Sequence, residues 1–278
     1  MLDKALNNPF GTFAPTAFQK RIIDLTRHQP DNWLGRRIAF ALRRLVLANL
    51  DHPLDVEALG QKMRLYPFNN VCEKRILFTP QYFDAAERDV LAQHMHDGFV
   101  FIDVGANIGG YALFVAGIAG PSARILAVEP QPLVFDRLTF NIRANTAGTV
   151  KAVACAVMDR EGEFTLFLDD DNRGGASIKT ISSNDHGTSA LKVPAKTLLG
   201  LIREENLPQV DALKLDVEWA EDLILVPFFR DAPRDLWPRL IVMEQTSGRW
   251  QTDCIALARS RGYREIAATR MNVILELA

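Results

Sequence analysis

Paired cysteines are missing from this chain. Its three cysteines, Cys72, Cys155 and Cys254, are an odd number, widely spaced and without a C-x-x-C pair. That removes a disulfide framework and a structural zinc site from consideration and suits a reducing cytoplasm. Long apolar runs are missing too. No window supplies a charge-free stretch of the length a bilayer requires, and the opening MLDKALNNPFGTFAP has no charged region followed by an apolar core. Neither export nor a transmembrane segment is expected, and a cytoplasmic location is. Strong charge is lacking as well: a formal net charge of −2 gives no global electrostatic case for binding nucleic acid. His94 and His96 are spaced i, i+2, which does not put both on one helix face, so no metal is expected. What remains is 278 residues, 48% hydrophobic and 24% charged, enough apolar material for a substantial core.

The chain is organised around FVFIDVGANIGGY, residues 99–111. Four apolar residues bounded by Gly98 and closed by Asp103 predict a buried parallel strand, and Gly105, Gly109 and Gly110 then bend the backbone into a helix over 111–119. Glycine there lets main chain approach a ligand closely. A dinucleotide turn would read G-x-G-x-x-G, but Asn107 stands at the middle glycine position and the strand ends in a carboxylate. A carboxylate repels phosphate and suits a cation, such as the amino group or sulfonium of an amino-acid-like cofactor. RILAV, residues 124–128, is a second short strand ending in an acid, Glu129, placed where a Rossmann-like sheet binds ribose hydroxyls. Either acid alone could cap a helix; two acids at consecutive strand ends make that reading weaker.

DVGANIGGY, AVEPQPLVFDRLTFNIRAN and KLDVEWAE together resemble the FkbM family of S-adenosylmethionine-dependent methyltransferases, over roughly residues 83–244. The resemblance implies a Rossmann-like class I methyltransferase fold of the α/β class, a mostly parallel sheet with a closing antiparallel hairpin. Here it would follow an N-terminal α+β extension, giving an extension over 1–82 and a methyltransferase domain over 83–278. The implied activity is O-methylation of a hydroxyl on a sugar, glycan or secondary metabolite, with S-adenosylmethionine as cofactor. Gly105, Asn107 and Gly109 would shape the cofactor loop, with Asp103 near the methionine moiety and Glu129 on the ribose. Ala156, at a third strand's end, would leave room for adenine. Asp216 and Glu218, at the end of the strand DALKLDV, would line the acceptor side as candidate catalytic residues. One could take the hydroxyl proton, or Glu218 could cap a helix while Asp216 faces the cofactor. Two departures stand out. Where the family has Leu-Asp, this chain has Lys196, Thr197 and Leu198. After Glu218 the usual glycine is Trp219, whose ring either closes the site or forms a stacking wall.

Elsewhere a helix is expected over 17–28, and residues 33–50 (WLGRRIAFALRRLVLANL) predict an amphipathic basic helix from Trp33 to Leu50. Leu34, Ile38, Leu42 and Leu45 share one face and Arg36, Arg37, Arg43 and Arg44 the other. Docking of the apolar row on the protein's own core is favoured over peripheral contact with an anionic membrane, or an oligomer, through this helix. MRLYPF and RILFT predict strands, and a helix over 84–95 is expected to start in a capping box of Asp84 and Glu87. Residues 132–145 predict a helix carrying the paired Asn141 and Asn145, and VKAVACAV a single strand. A polar loop over 169–189 loosely matches a family N-x-G-x-S segment through Asn172, Gly174 and Ser177, with His186 read as a surface histidine. RLIVME, ending in Glu244, and a hairpin over 263–277 complete the sheet. A non-catalytic module that retains cofactor binding is the alternative reading, motivated by Trp219 and the missing acid. A nicotinamide dehydrogenase ranks third.

Overall fold

The structure is a computed structural model, and it describes residues 4–145, 149–169, 176–177, 188–217, 219–245 and 250–278. Two helices come first, α1 (Ala17–Arg27) and α2 (Trp33–Leu47). Thr16 and Gln19 form a capping box on α1, and the Asn32 side chain accepts from Gly35 N to start α2. The face that α2 buries is not the expected one. Gly35, Ala39 and Val46 are buried with Leu42 partly covered, whereas Leu34, Ile38 and Leu45 are exposed. The reason is close packing by small residues: a Cβ at Gly35 would run into the carbonyl oxygen of Pro30. A pattern weighted toward large side chains picks the wrong row.

The hairpin of β1 (Leu54–Ala58) and β2 (Gln61–Leu65) leads to α3 (Val71–Phe78). RILF, expected as strand, lies in this helix. Asn70 caps it by accepting from Glu73 N at 3.1 Å, and the buried Glu73 carboxylate binds Arg137 at 2.6 Å and the amide of Tyr66. Those tertiary bonds override local strand preference. Next comes α4 (Ala85–His94), whose expected capping box is absent. Asp84 is left-handed at φ +43 and makes no capping bond, while Glu87 instead accepts from Thr269 Oγ1 at 2.7 Å and Asn272 Nδ2 at 2.8 Å.

The chain then alternates through β3 (Val100–Val104), α5 (Gly110–Ala119), β4 (Arg124–Val128), α6 (Pro132–Ala144) and β5 (Val150–Val153). The single strand expected from VKAVACAV is broken in two. β5 stays in the main sheet, and β6 (Ala156–Val157) turns away to pair with β9 (Thr188–Lys196) in a second sheet that also holds β7 (Gly162–Asp169) and β8 (Ala176–Ser177). α7 (Leu198–Glu204), β10 (Ala212–Leu215), α8 (Glu221–Asp231), β11 (Leu240–Glu244), α9 (Cys254–Ser260) and the hairpin β12 (Tyr263–Ala268) and β13 (Asn272–Leu277) follow.

The main sheet runs β12-β13-β11-β10-β3-β4-β5, with β13 antiparallel to both its neighbours and the pairs from β11 to β5 parallel. This is the Rossmann-like methyltransferase sheet with its closing hairpin. From β3 the chain moves outward through β4 and β5, then returns to β10 on the other side, so strand order reverses between β3 and β10. Ligands in open α/β sheets bind outside the strand ends at such a switch point.

Each face of the sheet carries its own core. Ile22, Leu54, Leu65 and Ile76 from the N-terminal elements pack in one cluster with Phe101 and Ile125 of the sheet, while Leu201, Ile224 and Ala258 of α7, α8 and α9 join the other. Asn141 and Asn145 join the N-terminal hairpin to α6. Asn141 accepts from Arg64 N at 2.8 Å and donates to Ile108 O at 3.1 Å, and Asn145 accepts from Lys62 N and donates to Lys62 O, both at 2.9 Å. Their amides act as a substitute strand partner for the edge of β2.

Candidate active site

The C-terminal ends of β3, β4 and β10 open into a cavity of about 330 Å³. Asp103, Gly105, Asn107, Glu129, Ala156 and Asp216 all line it, so residues spread over more than a hundred positions meet in one place. Gly109 does not line it. At φ +93 Gly109 precedes α5, and a Cβ there would stand 2.9 Å from Leu138 Cδ1, so glycine serves packing beneath the turn. Glu218, Asn172, Gly174 and His186 lie outside the described residues, and Ser177 falls in β8.

Asp103 is buried at the base. Its Oδ2 accepts from Ala112 N at 3.0 Å, and its Oδ1 is enclosed without a hydrogen-bond partner. Burial pushes its carboxyl up to about 6, while the Lys214 ammonium and the Ala112 amide act the other way. Glu129 is held by two backbone amides, Asn107 N on Oε2 and Gln131 N on Oε1, both at 2.9 Å. Burial nevertheless raises its carboxyl to about 7. Buried acids short of hydrogen-bond partners are costly. They fit a group that brings a cation to Asp103 and hydroxyl donors to Glu129. S-adenosylmethionine has that complementarity through its amino group, its sulfonium and its ribose. Cys155, Ala156, Val157 and Leu166 give the adjoining wall an apolar lining for a planar ring.

The turn between β3 and α5 explains its own glycines. Gly105 has φ +78, and a Cβ on it would run into the main-chain oxygen of Asp216, so this turn and the end of β10 lie against each other. Asn107, also left-handed at φ +50, accepts from Asn70 Nδ2 at 3.0 Å. The cap residue of α3 thereby holds the turn.

Several cavity-lining residues are given no role by any motif in the sequence. Lys214, the register partner of Asp103, is buried and donates to Asp216 Oδ2 at 2.8 Å, its Nζ 4.7 Å from the Tyr111 ring centroid. Burial pulls its pKa down, but the Asp216 and Asp103 carboxylates hold the net shift upward, so it stays charged. A lysine inside an otherwise apolar strand was the available signal. Asp216 itself is 50% exposed toward the opening. Arg75, Asp84 and Tyr111 form the facing wall: Arg75 Nη2 donates to Asp84 Oδ1 at 2.8 Å and the Tyr111 hydroxyl to Asp84 Oδ2 at 3.2 Å. Burial, with Asp84 and Glu87 nearby, pushes the Tyr111 phenol well up, so it remains a neutral donor.

The two departures also find places. Thr197 caps α7 by accepting from Gly200 N at 3.0 Å, and neither it nor Lys196 nor Leu198 lines the cavity. Trp219 has φ +77, the left-handed region glycine enters without strain, and does not line the cavity.

The family described as the methyltransferase FkbM domain matches residues 103–265, more than half of the chain. This protein belongs to that family. Methyltransferase sdnD of Sordaria araneosa is 29% identical over 147 residues, 43% of this chain and 56% of that protein. The 31-O-demethyl-FK506 methyltransferase FkbM of Streptomyces tacrolimicus is 28% identical over 204 residues, 62% of this chain and 75% of that protein. Hexuronic acid methyltransferase AglP of Haloferax volcanii is 28% identical over 147 residues, 49% and 53% of the two chains. The chain thus spans little more than half the length of two of these relatives. The FkbM domain match starts at Asp103, so it holds Glu129, Lys214 and Asp216 and leaves out Asn70, Arg75 and Asp84.

Proposed function

We propose that this FkbM-family protein is an S-adenosylmethionine-dependent O-methyltransferase acting on a hydroxyl of a sugar, glycan or secondary metabolite. The observation that carries the cofactor is the enclosed, unpartnered Asp103 Oδ1 beside Glu129, whose two amide bonds leave lone pairs free for ribose. The acceptor class draws support from two relatives, one named for a 31-O position and one for hexuronic acid. Bound S-adenosylmethionine supplies an activated methyl group that needs no further chemical activation.

The chain's own task is then alignment and exclusion of water. Asp103 binds the cationic end, Glu129 the ribose, and the wall around Ala156 the ring. Asp216, half-exposed at the cavity opening, receives the proton that the acceptor hydroxyl loses as its oxygen gains the methyl group. Lys214 holds that carboxylate in place at 2.8 Å. Residues 83–278 form the methyltransferase domain and residues 1–82 an extension, which adds Asn70 and Arg75 to the acceptor wall. The free cysteines accord with a cytoplasmic setting.

Calorimetric titration of the full chain with S-adenosylmethionine and S-adenosylhomocysteine, beside NAD and NADH, tests the reading. Saturable binding of the first pair, lost in Glu129→Ala, is expected. Binding of NADH alone would transfer the chain to hydride chemistry, and tight cofactor binding without methyl transfer to any hydroxyl in a glycan and metabolite screen would leave a binding module.

A further inference from the structure

α2 presents to solvent the side chains that a folded core would ordinarily take. Trp33 is 69% exposed, Leu34 59% and Leu45 55%, with Ile38 and Phe40 also exposed. On a 3.6-residue period Leu34, Ile38 and Leu45 form one row, and Trp33, Arg37, Phe40 and Arg44 form the row beside it. Residues 32–50 carry four arginines and no acid. The Arg37 guanidinium lies 4.8 Å from the Trp33 ring centroid and that of Arg43 4.3 Å from Phe40, so cations and rings form one surface. α1, packed on α2, adds exposed Phe18 and Leu25. The basic character reaches α3, where partial burial and, after it, the charge of Arg43 lower the pKa of Lys74. The next residue, Arg75, lines the cavity.

Charge decides among occupants. A two-fold contact with a second copy would lay arginines against arginines. An acidic protein groove would pair the cations but offers no general reason for an apolar row edged by tryptophan. An anionic lipid surface answers both, with phosphates for the arginines and the acyl boundary for the leucines and the indole. Among the described residues no helix is long and apolar enough to cross a membrane, so the contact is peripheral.

We propose that α2 docks this protein on an anionic lipid surface, with Trp33, Leu34, Ile38 and Leu45 at the headgroup–acyl boundary and Arg37 and Arg44 on lipid phosphates. α3, which carries Arg75 at the cavity, also carries Lys74 within electrostatic reach of Arg43 on α2.

Co-sedimentation of the full chain with vesicles of phosphatidylcholine, with and without phosphatidylglycerol, reads the effect. Binding is expected only with the anionic lipid and weakens with added salt. The double variant Arg37→Gln/Arg44→Gln should lower the partition coefficient about thirtyfold, from about fivefold per basic residue. Leu34→Ser/Leu45→Ser should lower it comparably. Both pairs are exposed, so thermal melting and cofactor titration should match wild type. Absence of binding, equal binding to both vesicle types, or insensitivity to both variants would overturn the proposal. So would a dimer, seen by light scattering, that Leu34→Ser/Leu45→Ser dissolves while vesicles capture nothing.

Discussion

Arg64 and Lys214 are both buried cations held by aspartates, yet their surroundings differ in kind. Arg64 donates to Asp55 at 2.6 and 2.8 Å and to the carbonyls of Ala5, Asn8 and Pro9, while Asp55 Oδ2 also accepts from Gly11 N and Phe13 N. Phe13 and Phe140 cover the guanidinium. Both partners have bonds on all sides, and the group ties residues 4–13 to the first hairpin. Lys214 reaches one oxygen of a half-exposed Asp216 and stands beside an Asp103 whose Oδ1 has nothing. Buried charge is tolerated when saturated, and a group left short of partners is one arranged for something that arrives later.

The largest effect should come from breaking the saturated group. Arg64→Met leaves Asp55 buried without its cation and should cost about 3–5 kcal/mol in urea unfolding; an unchanged midpoint would mean that the N-terminal segment contributes little to global stability. Treating the open group the same way should give the opposite sign. Asp103→Asn removes a carboxylate that burial holds at about 6, so at neutral pH the protein should gain about 1–2 kcal/mol. Its affinity for S-adenosylmethionine should meanwhile drop about 10- to 100-fold. Loss of both stability and affinity would make Asp103 a structural residue like Asp55. The smallest effect sharpens the contrast through pH. Burial lifts Glu129 from 4.5 to about 7, so the fold favours its protonated form. Glu129's contribution to the stability of the unliganded protein is then fully present below the ordinary carboxylate range and is lost as pH rises through about 7. Cofactor affinity runs the other way, rising as Glu129 loses its proton and can accept from both ribose hydroxyls. Melting and calorimetry across this window should show the two trends crossing, and Glu129→Gln should flatten both.

Much of this was readable from residue order alone, for physical reasons. Parallel strands buried on both faces are short apolar runs, so β3, β4, β10 and β11 announced themselves, and acids at their ends marked Asp103, Glu129 and Asp216. The packing of α2 was not readable, because contact through Gly35 and Ala39 leaves no hydrophobic period to follow. The break between β5 and β6 was hidden too, since Ala154 and Cys155 suit a strand by themselves and only pairing with β9 draws the chain aside. Asp84 looked like a helix cap and became the acceptor of Tyr111 and Arg75, a role that exists only once α3 and α5 are adjacent. Lys214 is marked only by its apolar strand, and its role exists only once β10 lies beside β3 and Asp103.

The reversal of strand order at β3 also governs when the site can exist during synthesis. β3 can pair with β4 as soon as a nearby segment is made, but its other neighbour stands 111 residues further on, where Asp211 Oδ2 meets Val100 N and Ala212 stands opposite Phe101. Until the ribosome has released β10, the glycine turn after β3 has no Asp216 carbonyl to rest against and Asp103 no lysine beside it. A chain whose central contacts span such distances closes large loops before it is rewarded for doing so, and it folds slowly for its size. The nascent protein therefore carries a half-built, apolar sheet edge while the 111 residues between Val100 and Asp211 are made, and shielding of that edge is a demand the fold places on the cell.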